Sequence, residues 1–169
     1  MNAANGQYIT FLDSDDQYLL HHLSSRKHFL TLNPETELLH GGVKVVGDPY
    51  VVDRNNPYRL VRAEKCALGG TFFIRKDALQ RVGSFYDLPY GEDTDFFERA
   101  REAGITIHSS NVQSYVYHRD HDLSLTARFA KARHLLPRII SRLANWKKEL
   151  RQALRMILGV AKVRRPDSA

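Results

Sequence analysis

A chain of 169 residues with 43% apolar and 26% charged residues has room for one packed domain and is neither fibrous nor disordered. Its single cysteine, Cys66, excludes an internal disulfide framework and any multi-cysteine zinc site, and fits a reducing, cytoplasmic compartment. The net charge of +6 is unevenly placed: residues 1–122 carry 13 Lys/Arg against 17 Asp/Glu, and residues 123–169 carry 12 against 2. The basic excess therefore belongs to the C-terminal segment, and the acidic body offers no aromatic-lined basic groove for nucleic acid. Met1 runs directly into Asn2, Ala3, Ala4 and Asn5, so no secretory leader is expected, and no apolar stretch is long enough to span a membrane.

In chain order, Tyr8 to Leu12 is a short β-branched and aromatic run that predicts a strand ending in the acids Asp13, Asp15 and Asp16. Residues 17–32 space Leu19, Leu20, Leu23, Leu30 and Leu32 as one helix, stopped before Asn33 and Pro34. His21 and His22 fall inside it and read as structural. Glu37 to Asp53 predicts two strands and a turn, and the polar, basic stretch 54–66 predicts a surface loop. Thr71 to Ile74 is a further strand after Gly69 and Gly70, and Lys76 to Val82 a short helix closed by Gly83. Glu92 to Ala103 places Phe96, Phe97 and Ala100 at helical spacing, with Gly104 as its stop. Ile105–Ile107 and Ser114–Tyr117 predict the last strands. The pattern as a whole is α/β.

Three groups of residues carry chemistry. Asp13 and Asp15, one residue apart after a strand, can face one crevice and hold Mg²⁺ or Mn²⁺ against a diphosphate. Equally, such acids serve as plain turn residues. Glu92 and Asp93 open a helix, where acids complement the macrodipole; the alternative is that one of them acts as a general base. His118, after the strand 114–117, is either a satisfied surface residue or a nitrogen ligand to a carboxylate site.

The order of these groups matches a known pattern. Asn5 through Asp16 resembles the metal-binding strand of family 2 glycosyltransferases, which have the GT-A fold. Gly69 to Arg75 is similar to that family's acceptor-side strand. Phe85 through Phe96, with Glu92-Asp93-Thr94-Asp95-Phe96, resembles its acidic catalytic segment. Tyr115 to Arg119, with Ser124 and Thr126, resembles its closing histidine motif. The likeness covers residues 1–126, a partial GT-A-like mixed sheet, and implies transfer of a sugar from a nucleotide-sugar donor to a saccharide or other hydroxyl acceptor, with inversion. By the same resemblance, Asp13, Asp15 and Gly70 bind the donor, and Asp13, Asp15 and His118 hold a divalent metal, Mn²⁺ or Mg²⁺. Asp93 is then the base and Glu92 positions the acceptor. The family's nucleotide-binding half has no counterpart before Tyr8. A partner chain or self-association is therefore expected at that strand, and a non-catalytic interaction subunit is the alternative function.

Residues 127–169 predict a basic amphipathic helical tail. Ile139, Ile140, Leu143, Trp146, Leu150, Leu154, Ile157 and Leu158 form one apolar stripe, with most Lys and Arg outside it. Two readings stay open: a helix packed on the body, or one lying on an anionic membrane surface at the inner face of the cytoplasmic membrane.

Overall fold

The computed structural model describes residues 4–56 and 58–120; the predicted basic tail lies outside the described residues. Within them the chain is mixed α/β. The principal sheet contains β1 (Tyr8–Thr10), β3 (Leu38–His40), β7 (Phe73–Arg75) and β8 (Ile107–Ser109), in the spatial order β1-β7-β3-β8. Strand β7 runs antiparallel to both of its neighbours, while β3 and β8 are parallel. A second sheet, β2-β9-β4, joins Gln17–Tyr18, Tyr115–Arg119 and Val43–Gly47. Strands β5 (Tyr50–Val52) and β6 (Leu60–Arg62) form a separate hairpin.

Alternation along the strands decides what each face of the principal sheet buries. Leu38 and Ile74 point to one face, where Phe72, Ala78, Phe96, Ala100 and Ile105 close over them in a single core. That layer is supplied by α2 (Lys76–Val82) and α3 (Glu92–Glu102), whose inward positions are Ala78, Phe96 and Ala100. Burial of side chains the size of Phe or Leu is worth about 1.5–3 kcal/mol each, so this layer dominates stability. Phe73 points to the other face and meets the His22 ring, with centroids 5.5 Å apart, on α1 (His22–Leu32).

Several boundaries differ from the sequence expectation, each for a tertiary reason. Residues 17–32 are not one helix. Gln17 and Tyr18 pair with Val116 and Tyr115, and the Leu19 N–H donates to the Ser114 carbonyl, so the helix starts only at His22. Its inward face is also inverted: His22 and Arg26 are fully buried, whereas Leu20, Leu23 and Leu32 are exposed. Residues 37–53 hold three strands instead of two, because β4 pairs with β9 and β5 turns away to pair with β6. The stretch 54–66 includes β6 and a 3-10 turn at Ala63–Lys65 in place of a plain loop. Gly69–Thr71 is likewise a 3-10 turn, and the strand after it is Phe73–Arg75. The Ile105 strand lies two residues later, at Ile107–Ser109, and His118 lies within β9 rather than after it. Among the described residues, strand β1 pairs only with β7 and lies at an edge of the principal sheet.

Candidate functional site

The acidic turn is joined to the histidine strand by one hydroxyl and one amide. The chain leaves β1 at Thr10 and folds back at Asp13–Asp16, where the Asp16 N–H donates to the Asp13 carbonyl. The buried Tyr115 of β9 donates its hydroxyl to Asp16 Oδ2 at 2.5 Å, with Asp13 Oδ2 at 3.5 Å. The backbone N–H of His118 donates to Asp16 Oδ1 at 2.9 Å. Tyr18 holds the near side of the turn through its hydroxyl, which donates to the Phe11 carbonyl at 2.7 Å. Asp16 and Tyr115, which sequence reasoning did not place in the site, are thus the pieces that connect it. A tyrosine within the last expected strand was the available signal.

Asp13 and Asp15 are both exposed on this turn. Even so, the protein mass around Asp13 raises its carboxyl above the usual aspartate range, and the Asp15 charge raises it further. Asp16 is raised by burial too, although Tyr115 and the His118 amide partly offset this. Anions crowded in this way are eased by a cation. Among the described residues no group of three or more His, Cys, Asp or Glu is arranged around a metal position. The donor set that does fit is a pair of carboxylates completed by phosphate and water, which is how Mg²⁺ is commonly held. Regular pairing of β9 with β4 puts Tyr115 and Tyr117 on one face of the sheet and Val116 and His118 on the other. The His118 ring lies beside Asp120, with Nδ1 3.7 Å from Oδ1.

Gly70 is explained by contact. A Cβ there would fall 2.1 Å from the Tyr115 hydroxyl, so the ring of Tyr115 lies directly against the glycine backbone. The neighbouring Gly69 N–H donates to Asp93 Oδ2 at 3.2 Å. Asp16, Tyr115, Gly70, Gly69 and Asp93 therefore form a continuous run of contacts, and residues spread over most of the described chain meet in one place.

Asp93 stands in the first turn of α3, with Oδ1 accepting the Thr94 N–H at 2.6 Å. Burial pushes its carboxyl up to about 6, and the adjacent Glu92 charge contributes. It opens into a cleft of about 750 Å³ whose walls include Val52, Cys66, Leu68, Tyr90, Glu92, Phe97 and Tyr117. Burial pushes the Cys66 thiol up to about 11, with the Asp93 charge a secondary cause. The outer wall of this cleft is the β5–β6 hairpin, which the sequence had indicated only as a surface loop. Asp93 and Glu92 line the cleft, while Asp13, Asp15 and His118 are not among its lining residues.

The chain matches no protein-family model and no curated protein. Among the described residues no helix is long and apolar enough to cross a membrane.

Proposed function

We propose that this chain is a glycosyltransferase, or the acceptor-side part of one, moving a sugar from a nucleotide-sugar to a hydroxyl acceptor with inversion. The observation that carries the reading is the run of contacts from the acidic turn through Tyr115 and the glycine pair to Asp93. It supports a donor end and an acceptor end sharing one wall.

Asp93 has the properties of a general base. Its carboxyl is anchored by two backbone N–H groups, sits in a concave site, and titrates at about 6, near neutral operating pH. It would take the proton of the acceptor hydroxyl as oxygen attacks the anomeric carbon and the nucleoside diphosphate departs. Glu92, exposed at the cleft mouth, would hydrogen-bond the acceptor, and its negative charge raises the proton affinity of Asp93. Asp13 and Asp15 would hold a divalent cation, Mg²⁺ or Mn²⁺; His118, whose ring lies on the other face of β9 from Tyr115, would serve the turn through its backbone N–H to Asp16. When bound, that cation supplies charge neutralisation for the leaving diphosphate. Gly70 would let the backbone and Tyr115 lie close to the donor without a side chain intervening.

The test is acceptor-dependent release of nucleoside diphosphate from a panel of nucleotide-sugars in the presence of Mn²⁺. Asp93→Asn should slow release by about 10²–10⁴-fold while leaving Mn²⁺–nucleoside diphosphate binding intact. In the parent chain the rate should rise with pH through about 6 as Asp93 loses its proton. Equal rates in the two proteins would reduce Asp93 to a helix-capping residue.

A second reading, an interaction subunit completed by another chain, is favoured by the open edge of β1. Among the described residues no strand pairs with its outer side, and such an edge offers a template for a further strand. Nucleoside diphosphate binding only in the presence of such a partner would select it.

A further inference from the structure

The outer wall of the Asp93 cleft is the β5–β6 hairpin, a sheet of two strands among the described residues. A ribbon that short holds its position by docking. Its base is fixed by Arg119 of β9, whose Nε donates to the Asp48 carbonyl at 2.9 Å and whose Nη2 donates to Tyr50 O at 3.1 Å. The Tyr90 hydroxyl holds Val52 O at 2.7 Å. Beyond β5 the chain reaches Arg54, which points the other way, onto α3.

Arg54 grips that helix with both arms. Nη2 lies 2.9 Å from Asp95 Oδ1, and Nη1 lies 2.9 Å from Glu98 Oε2. Two carboxylates three residues apart present one helical face, and a planar guanidinium spans them where an ammonium cannot. Gly91 completes the seat: it caps α3 at φ +72°, and a Cβ there would fall 2.7 Å from Arg54 Cδ. Asp95 is held in turn by Arg99 Nε at 2.8 Å, and Arg99 is anchored to the Val82 carbonyl at 2.7 Å. The hairpin is thus fastened to the first two turns of α3, the first of which carries Asp93.

We propose that Arg54 is a positioning residue for Asp93: by clamping the hairpin to the first turns of α3, it keeps the cleft narrow and bulk water away from that carboxyl. The guanidinium charge is taken up by Asp95 and Glu98, so the effect runs through hydration and not through direct attraction. The groups that face Asp93 are Glu92 on its own helix, Cys66 at the end of the 3-10 turn and Tyr90 in the segment before α3. The importance of the clamp for sugar transfer rests on Asp93 being the base; the clamp itself does not.

The experiment is a carbon-13 NMR titration of the Asp93 carboxyl in the full chain, with the rate of Cys66 alkylation by iodoacetamide as a second readout. In Arg54→Met the Asp93 midpoint should fall from about 6 toward 3.8, and alkylation at fixed pH should become several-fold faster. Arg54→Lys, which keeps the charge but loses the fork, should lie between the two proteins. Glu98→Gln removes one arm at a partly exposed position and should speed alkylation in the same way, which covers an Arg54 variant that fails to fold. The negative charge lost there lowers the Asp93 midpoint by itself, so the thiol is the deciding readout for that variant. An Asp93 midpoint unchanged or raised in folded Arg54→Met, or an alkylation rate unchanged in Glu98→Gln, overturns the proposal. Sugar transfer is not read, so a failed clamp and a failed assignment of the base are separate results.

Discussion

At the scale of single residues, Asp93 and Gly70 show what the site costs the fold. The carboxyl of Asp93 is raised in the folded chain relative to an unfolded one. The folded state therefore binds the proton more tightly, and the group is least costly below the unfolded value of 3.8. As pH rises through about 6, the buried charge forms and stability is lost. Asp93→Asn should accordingly stabilise the chain at pH 8 by about 1–3 kcal/mol, a gain that shrinks to nothing near pH 4. Thermal melts of both proteins at the two pH values check this. Equal stabilities at pH 8 would mean that the carboxylate is already well solvated. Gly70→Ala should act in the opposite direction. Its methyl group meets the Tyr115 ring, and that ring is held by Asp16, so overpacking should cost about 1–3 kcal/mol or more in denaturant unfolding.

Among the elements, α1 is the one whose physics the sequence concealed. Its leucines suggested an inward apolar stripe, but the helix turns His22 and Arg26 to the sheet. His22 Nδ1 shares a hydrogen bond of 2.9 Å with Ser114 Oγ and the ring stacks on Tyr18 at 3.9 Å between centroids, so it fastens α1 to both β2 and the approach to β9. Burial, with Arg26 one turn away, pushes its imidazole down to about 4. An unfolded histidine takes its proton near 6.5, whereas this one refuses it until about 4. Stability from this group is therefore lost as pH falls through that window. His22→Phe should remove about 2 kcal/mol of the pH dependence between 7 and 4.5, read as a smaller fall in Tm than in the parent chain.

What could be read from the chain follows from where the determining contacts lie. Helix α3 was legible because Phe96, Phe97 and Ala100 repeat at helical spacing, and Gly83 and Gly104 stop α2 and α3 locally. Strand β2 was not, because two residues become a strand only by pairing with Val116 and Tyr115 far along the chain. The hairpin was masked by its basic composition, which suits a solvated loop as well as a cleft wall. Asp13, Asp15, Asp93 and Glu92 could be named from residue type and order. Asp16 could not be told from its neighbours, since what distinguishes it is a hydroxyl 99 residues away.

At the scale of the whole molecule three surfaces matter: the acidic turn, the Asp93 cleft and the β1 edge of the principal sheet. The basic segment after residue 122 adds a prediction that does not depend on them. Removing residues 137–169 should lower binding to anionic vesicles, and binding by the full chain should weaken as salt rises, in a sedimentation assay. Salt-independent binding would point to apolar insertion alone. The claim that the acidic turn and Asp93 belong to one site is tested most directly by the paramagnetism of Mn²⁺. With Mn²⁺ and a nucleoside diphosphate added to the full chain, the NMR signals of the Asp93 side chain and of the His118 ring should broaden, and Asp15→Asn should abolish that broadening. Broadening that persists unchanged in Asp15→Asn, or that never reaches Asp93, would contradict the account.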